Sequence, residues 1–322
     1  MGGSVLVLGA NGRLGQVLCS TFARQGWSVT GQVRRDPPPG APRDQTCVRV
    51  ALDDPAQLAS AAGSADVVVH AVNPPYPRWD KEALPLARGA IETARRLSAL
   101  LMFPGNVYNF GAGMPELLTE STPQQPTTRK GRIRVAIEQA LREAAQGGLR
   151  VAIVRAGDFF GGPGRGSWFD LVVVKSLASG RVVYPGRTDR VHAWAYLPDL
   201  AQAFVMVAQQ HARLAPFETL HFAGHAPTGN QLVAAIAASA RRLNLLSADA
   251  QVTVGNMAWP LLVAGGLLVP MWREVAEMRY LWEVPHRLSG ERLAAIIGQV
   301  PATPLEQAMD AALQELFRKG RS

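Results

Sequence analysis

The sequence predicts an α/β fold: a Rossmann-like doubly wound parallel sheet with a smaller, mostly helical C-terminal substrate region. Short apolar runs, such as residues 5–8 and 151–155, alternate with segments of helical periodicity through the first half of the chain. Such runs are typical of a parallel sheet covered by helices on both faces. A glycine-rich turn follows the first run directly, where doubly wound sheets bind ligands.

Each expected strand is a short apolar run, and each expected helix repeats its apolar residues every three or four positions. The strands expected before residue 156 are at 5–8, 27–33, 47–50, 66–70, 100–103 and 151–155. The helices expected between them begin near residue 14, cover 81–97 and include 135–141.

The pattern changes after residue 156, where the loop 157–167 is rich in glycine. Two further strands, 193–196 and 219–222, flank a helix over 200–209, and the chain from 224 is mostly helical with proline breaks. We therefore expect four regions: a Rossmann dinucleotide-binding core (1–158), a substrate-region insertion (159–190), the last Rossmann strands and helix (191–223), and a mainly substrate-binding region (224–322).

Composition and charge narrow the functional classes. Of 322 residues, 48% are hydrophobic and 18% are charged, which is typical of a globular chain. The net charge of +8 suits an anionic ligand, but the arginines are scattered, so nucleic acid is not an expected partner. Cys19 and Cys47 are the only cysteines, and the first strand leaves no room for a secretion signal, so we expect a cytoplasmic protein.

The uncharged segment over residues 257–272 is the one stretch that resembles a membrane span. It is shorter than the roughly 20 apolar residues that a spanning helix needs, and two prolines and two glycines interrupt it. We therefore expect a buried or ligand-facing helical segment there, and no membrane partner.

A G-x-x-G-x-x-G motif formed by Gly9, Gly12 and Gly15 follows the first strand and opens the first helix. Glycines allow a tight turn and a close approach of a pyrophosphate, and the positive end of the helix attracts the anion. We expect this loop to bind a dinucleotide. Its expected contacts are Gly9, Asn11, Gly12, Arg13, Leu14 and Gly15.

The second strand ends in Val33, Arg34 and Arg35, without the carboxylate that would bond a free ribose 2′-hydroxyl. Arginine instead favours a 2′-phosphate, and Arg13 is placed to reach the same phosphate. The sequence therefore favours NADP(H) over NAD(H). In the alternative interpretation, Arg34 and Arg35 belong to a solvated loop before the prolines.

These motifs together resemble the short-chain dehydrogenase/reductases of the extended or atypical type, the NAD-dependent epimerase/dehydratase-like group. The similar segments are G-A-N-G-R-L-G (9–15), A-D-V-V-V-H-A-V-N (65–73), N-V-Y (106–108), V-R-A-G-D-F-F-G-G-P-G (154–164) and Y-L-P-D-L-A (196–201). The resemblance implies a Rossmann fold and places Ala71 and Asn73 beside the cofactor.

The chain departs from this family at its catalytic positions. The usual Tyr-x-x-x-Lys pair is replaced by Lys130 and Arg134, and Pro104 occupies the position of the usual Ser or Thr. The resemblance implies that the helix face carrying Lys130 and Arg134 points toward the nicotinamide ribose. Lys130, Tyr108, Asn106 and Arg134 are then the catalytic candidates, with Lys130 or Tyr108 as proton donor and Arg134 also a cofactor contact. In the alternative interpretation these cations are solvated, with Arg134 paired to Glu138.

Three functions remain open from the sequence. The first is an NADP(H)-dependent oxidoreductase that transfers hydride to a small carbonyl or enone. The second is a non-enzymatic NADP(H)-binding regulator, and the third is a sugar-nucleotide epimerase or dehydratase. The expected partner is a small-molecule substrate, a homodimer is possible, and no metal site is expected.

Overall fold

The computed structural model describes residues 2–36, 40–42 and 44–318. Within these ranges the strands are β1 (Ser4–Leu8), β2 (Ser28–Gln32), β3 (Thr46–Val48), β4 (Val67–His70), β5 (Leu100–Gly105), β6 (Leu117–Leu118), β7 (Val151–Arg155), β8 (Asp158–Phe160), β9 (Arg181–Tyr184), β10 (Trp194–Tyr196), β11 (Phe217–His221), β12 (Thr253–Asn256) and β13 (Arg287–Leu288). The helices are α1 (Arg13–Arg24), α2 (Pro55–Ala62), α3 (Trp79–Arg96), α4 (Arg129–Gln146), α5 (Leu197–Gln209), α6 (Gly229–Arg242), α7 (Trp259–Gly265), α8 (Pro270–Ala276), α9 (Glu291–Ile297) and α10 (Leu305–Phe317).

Seven of these strands form one parallel sheet, in the order β11-β7-β5-β4-β1-β2-β3. Val5 in β1 pairs with Val29 in β2 on one side and with Val67 in β4 on the other. The strand order therefore reverses between β1 and β4, and ligands of doubly wound sheets bind outside the carboxyl ends of the strands at such a point. The predicted Rossmann-like α/β fold is confirmed.

Both faces of the sheet are buried at its centre, which explains why β1, β4, β5 and β7 are largely apolar runs. Leu6 and Leu8 of β1 join the core beneath α3 and α4, while Val5 and Val7 join the core beneath α1 and α5. Successive side chains of a strand point to opposite faces. Each fully buried Val or Leu contributes about 1.5–3 kcal/mol, so these short strands are fixed by packing on both sides.

The helices that position the candidate site begin and end for local reasons. In α1 the apolar residues Leu14, Val17, Leu18 and Phe22 recur at helical spacing and are buried against the sheet. The helix ends before Gly26, whose φ of +74° favours glycine. In α4, the Thr128 side chain accepts a hydrogen bond from the backbone N–H of Gly131 at 3.1 Å and caps the first turn.

Two features beyond residue 156 differ from the expectation. The strand expected near 193–196 forms as β10, but it pairs with β8 in a separate two-stranded sheet, while β11 joins the main sheet. The segment 257–272 is helical but not buried, so the buried alternative is wrong, whereas the ligand-facing alternative stays a prediction. It forms the two seven-residue helices α7 and α8, because glycines end α7 and Pro270 begins α8, and most of its large apolar side chains are exposed.

Candidate functional site

The glycine loop after β1 adopts a turn that only small residues permit. Gly9 has a φ of +78°, and the backbone N–H of Gly12 donates to the Gly9 carbonyl at 2.9 Å. A Cβ added to Gly15 would lie 2.3 Å from the same carbonyl oxygen, so helix α1 can begin this close to the loop only with glycine there. Such a turn lets a pyrophosphate approach the backbone.

The start of α1 is open to an anion. Gly12 caps the helix without a side-chain hydrogen bond, which leaves first-turn N–H groups free, and the helix dipole is positive here. The Asn11 Nδ2 donates to the Asp36 carbonyl at 2.9 Å, while among the described residues its buried Oδ1 has no partner. These features fit the pyrophosphate of a dinucleotide.

A cleft of about 510 Å³ lies outside the carboxyl ends of β1, β2 and β4. Its lining includes most of the expected cofactor contacts: Gly9, Asn11, Gly12, Arg34, Arg35, Ala71 and Asn73. Arg34 and Arg35 are exposed, and neither has a carboxylate partner in the described part of the chain. The nearby Asp36 carboxylate is instead paired with Arg49.

Arg13 is engaged within the protein, which the sequence did not predict. Its Nη1 donates to Asp170 Oδ2 at 2.6 Å, its Nη2 donates to Asp170 Oδ1 at 2.9 Å, and Nη2 and Nε both donate to the Gly161 carbonyl. The guanidinium therefore ties α1 to the loop before residue 170 and does not face a 2′-phosphate. Leu14 is buried, so its side chain belongs to the core and not to a ligand surface.

Lys130 is completely buried in an ion-pair cluster with α8 and the residue that follows it. Its Nζ donates to the Glu274 carbonyl at 2.9 Å, to Glu274 Oε2 at 2.5 Å and to Glu277 Oε2 at 2.6 Å. An ammonium group has three N–H donors, and all three are used here. The structure thus gives Lys130 a structural role in place of the predicted role of proton donor.

The same cluster explains why cations crowd the positive end of α4. Arg129 pairs with Glu274 as well, and its backbone N–H donates to the Glu277 carboxylate. Although burial of Glu274 acts to raise its pKa, the hydrogen bonds and charges of Lys130 and Arg129 hold that pKa below its usual value. The unfavourable dipole is therefore offset by two carboxylates from a distant segment.

Arg134 lies one turn further along α4, stacked between two aromatic rings. Its guanidinium carbon is 4.7 Å from the Trp79 ring centroid and 5.6 Å from that of Phe103. Nη1 donates to the Pro104 carbonyl at 3.3 Å, while within the described residues the buried Nε has no partner. Arg134 lines a cavity of about 10 Å³ that shares Val72 and Asn73 with the cleft, and it keeps donors for a ligand.

Tyr108 is buried, and its hydroxyl lies 2.9 Å from the hydroxyl of Tyr76. Burial raises the pKa of Tyr76 to about 12 and the pKa of Tyr108 well above its usual value of 10. Both hydroxyls therefore stay protonated at neutral pH, and the raised pKa makes each a weaker acid than an ordinary tyrosine. The Asn106 Oδ1 accepts from the Tyr108 backbone N–H at 3.1 Å, which gives Asn106 a turn-forming role.

Glu138 pairs with Arg155 and not with Arg134, so the alternative interpretation of the Arg134 contact is wrong. Both carboxylate oxygens accept from Arg155 Nη2, at 2.8 and 2.9 Å, and the pair is buried.

A second polar contact joins β8 to the residues before β10, where His192 Nε2 lies 2.9 Å from Asp158 Oδ2. The His192 ring stacks on Trp282, with centroids 4.3 Å apart.

Four residues that shape the site were missed from the sequence. The Gln32 Oε1 accepts from the Gly9 N–H at 3.1 Å and fixes the glycine loop, and the position of this glutamine at the end of β2 was a usable signal. Asp170, Glu274 and Glu277 lie more than 140 residues from the cations they pair with, and no local pattern marks them. Among the described residues, no group of three or more His, Cys, Asp or Glu is placed to hold a metal ion.

Comparisons with known proteins agree with the fold. The model of the NAD dependent epimerase/dehydratase family matches residues 5–221, whereas no curated protein matches the chain. Among solved structures, UDP-glucose 4-epimerase from Bifidobacterium longum, in complex with NAD+ and UDP, is 14% identical with a TM-score of 0.75 and covers 98% of both chains. The Bordetella bronchiseptica enzyme WbmH, in complex with NAD+, is 16% identical with a TM-score of 0.73 and covers 99% of both chains. UDP-glucose 4-epimerase from Thermotoga maritima, with UDP-glucose, is 13% identical with a TM-score of 0.73, covering 98% of this chain and 99% of that one.

Proposed function

The chain belongs to the NAD-dependent epimerase/dehydratase family, and from that premise we propose that it is an NADP(H)-dependent oxidoreductase that acts on a small carbonyl or enone. The observation that carries the proposal is the cleft that joins the glycine loop to Arg34 and Arg35. Two exposed arginines without described carboxylate partners suit the extra phosphate of NADP(H). A carboxylate at this position would instead favour NAD(H).

The remaining contacts of the nucleotide follow from the same cleft. The free N–H groups of the first turn of α1 bind the pyrophosphate, and Ala71 and Asn73 border the path toward Arg134. Arg134 donates hydrogen bonds to the nicotinamide ribose. When bound, the nicotinamide supplies the hydride that reduces the substrate.

The Tyr76–Tyr108 pair is the proton donor in this proposal. Both hydroxyls carry their proton at neutral pH, as reduction of a carbonyl requires. Because Tyr76 is less buried than Tyr108, we assign the transfer of the proton to Tyr76 and the orientation of its hydroxyl to Tyr108. A sugar-nucleotide epimerase needs a base for its oxidation step, and neither this pair nor Lys130 is suited to that role.

The test is NADPH consumption against a panel of aldehydes, quinones and enones. We expect Tyr76→Phe to lower kcat about 100-fold or more with little change in NADPH affinity, since general acid catalysis contributes at least that factor. Tyr196→Phe removes a tyrosine hydroxyl elsewhere and is the matched control. Turnover that survives both Tyr76→Phe and Tyr108→Phe contradicts the assignment of the donor.

A second candidate is an NADP(H)-binding regulator without catalysis. It is favoured by Lys130, whose three donors are all used within the protein, and by the burial of Tyr108. NADPH binding with no turnover on any member of the panel would favour this candidate over the oxidoreductase.

A further inference from the structure

Helices α7 and α8, with the turn between them, project a large apolar surface, which we call the apolar hairpin (residues 259–276). At its tip Leu267 is 90% exposed and Leu268 is 88% exposed. The other exposed apolar side chains of the hairpin are Leu261, Val263, Val269, Met271 and Trp272. Soluble monomers seldom expose contiguous apolar surface of this kind without a partner for it.

The base of the apolar hairpin is firmly attached to the rest of the protein. The Trp259 side chain is buried, and its Nε1 donates to the Pro185 carbonyl. At the other end Glu274 is 1% exposed and pairs with Arg129 and Lys130 of α4. Inside the hairpin the Trp272 ring covers Gly265, where a Cβ would lie 2.3 Å from Cε3. The attachments at both ends of the hairpin therefore fix Leu267 and Leu268 in their exposed positions at its tip.

Cations border this apolar surface. Residues 250–272 carry no charged side chain, and Arg273 follows at once with a side chain that is 65% exposed. Its one described carboxylate neighbour, Glu274 at 3.5 Å, is already shared by Arg129 and Lys130.

On one side of the base the flanking segments are also more cationic than acidic. Beside Trp259 and Trp282 they carry Arg187, Arg190 and Arg279 against Asp189 and Glu283. On the α3 side the exposed Arg78 and Lys81 are matched by Asp80 and Glu82. The charge left unmatched at the rim, on Arg273 and beside Trp282, is therefore cationic and complements an anionic surface.

We propose that the apolar hairpin docks the protein on an anionic phospholipid surface, with Leu267 and Leu268 at the acyl boundary and Arg273 among the headgroups. A helix of seven residues is about 10 Å long, which matches the roughly 5–10 Å depth of interfacial segments. In the described part of the chain no helix is long and apolar enough to cross a membrane. This peripheral contact replaces the sequence-based expectation of no membrane partner, and it does not depend on the proposed oxidoreductase activity.

A lipid surface suits the hairpin better than a second copy of the chain. The exposed leucines sit on a projecting tip, whereas a two-fold dimer needs a self-complementary face. The cationic rim would also be brought against its own copy in such a dimer. With the net charge of +8, the rim instead favours an anionic surface.

The test is co-sedimentation with vesicles of phosphatidylcholine, alone or mixed equally with phosphatidylglycerol. We expect the wild type to bind the mixed vesicles and to be released by salt. The double variant Leu267→Ser/Leu268→Ser is expected to lower the partition coefficient at least about tenfold, since two leucines no longer enter the apolar layer. Arg273→Gln is expected to lower it about fivefold on the mixed vesicles only.

The matched control is Leu117→Ser/Leu171→Ser, which removes two exposed leucines outside the hairpin and is expected to leave partitioning unchanged. Melting temperatures establish that each variant is folded. The proposal is overturned if the wild type sediments with neither kind of vesicle. It is also overturned if the two double variants have the same partition coefficient. It is also overturned if the wild type does not bind vesicles and light scattering shows that it is a dimer which the Leu267→Ser/Leu268→Ser variant no longer forms.

Discussion

The cleft beside the glycine loop and the buried cluster around Lys130 both concentrate cations, but they use them in opposite ways. In the cleft, Arg34 and Arg35 are exposed and have no carboxylate partner among the described residues. In the cluster, Lys130 is buried and each of its donors has an acceptor from the chain itself. Unpaired cations at a crevice point to a ligand, whereas paired and buried cations stabilise the fold.

The largest expected effect is a loss of unfolding free energy in the variant Lys130→Met, which tests whether the buried cluster is structural. The variant leaves Glu274 buried with a charge that Arg129 only partly balances, and breaking a buried ion pair costs about 3–5 kcal/mol. Urea denaturation should report this loss of unfolding free energy. Arg132→Met, on the exposed side of the same helix, should change it by less than about 0.5 kcal/mol. Equal stability of the two variants would mean that the cluster is not structural.

The next largest effect concerns the cleft. Gly15→Ala places a methyl group 2.3 Å from the Gly9 carbonyl oxygen and must displace the loop. We expect NADPH affinity to fall about 100-fold or more, because the pyrophosphate contacts rely on that loop. Gly113→Ala, where nothing lies within 4 Å of the added Cβ, is the control. Calorimetry that finds the same dissociation constant for both variants would rule out the loop as the binding site.

A smaller and more selective effect is expected from the two arginines. Arg34→Ala and Arg35→Ala should each weaken NADPH binding about tenfold, the value of one charge-assisted hydrogen bond, and leave NADH binding almost unchanged. Arg88→Ala removes an exposed arginine of α3 and controls for net charge. An equal loss of affinity for NADPH and for NADH would show that neither arginine binds the 2′-phosphate.

The smallest expected effect is a pH dependence of stability. Because the pKa of Glu274 is lowered in the folded state, its contribution is present above its unfolded pKa of about 4.3 and is lost as pH falls through the folded value. The stability difference between wild type and Glu274→Gln should therefore shrink between neutral pH and pH ~3. A difference that stays constant over this range would argue against a charged Glu274.

The sequence predicted the elements whose signals are local. The central strands β1, β4, β5 and β7 are apolar runs buried on both faces, and the spacing of Gly9, Gly12 and Gly15 predicts the turn of the glycine loop. Arg34 and Arg35 line the cleft, because the end of a β-strand fixes where the next residues lie, and their binding of the cofactor stays a prediction.

The sequence failed where a side chain's role depends on a distant partner. Arg13 was expected at a phosphate but binds Asp170, and Lys130 was expected at the nicotinamide but binds Glu274 and Glu277. Both partners arrive through tertiary packing, across more than 140 residues. The segment 257–272 was expected to be buried or ligand-facing because it is apolar, but composition alone does not distinguish a core helix from an exposed apolar hairpin.

The most direct test of the contrast is a crystal structure of the protein with NADPH. We expect the 2′-phosphate to lie within hydrogen-bonding distance of Arg34 and Arg35, while Lys130 Nζ remains hydrogen-bonded to Glu274 and Glu277. A 2′-phosphate in open solvent, or a Lys130 that has left its carboxylates for the nicotinamide, would contradict this expectation.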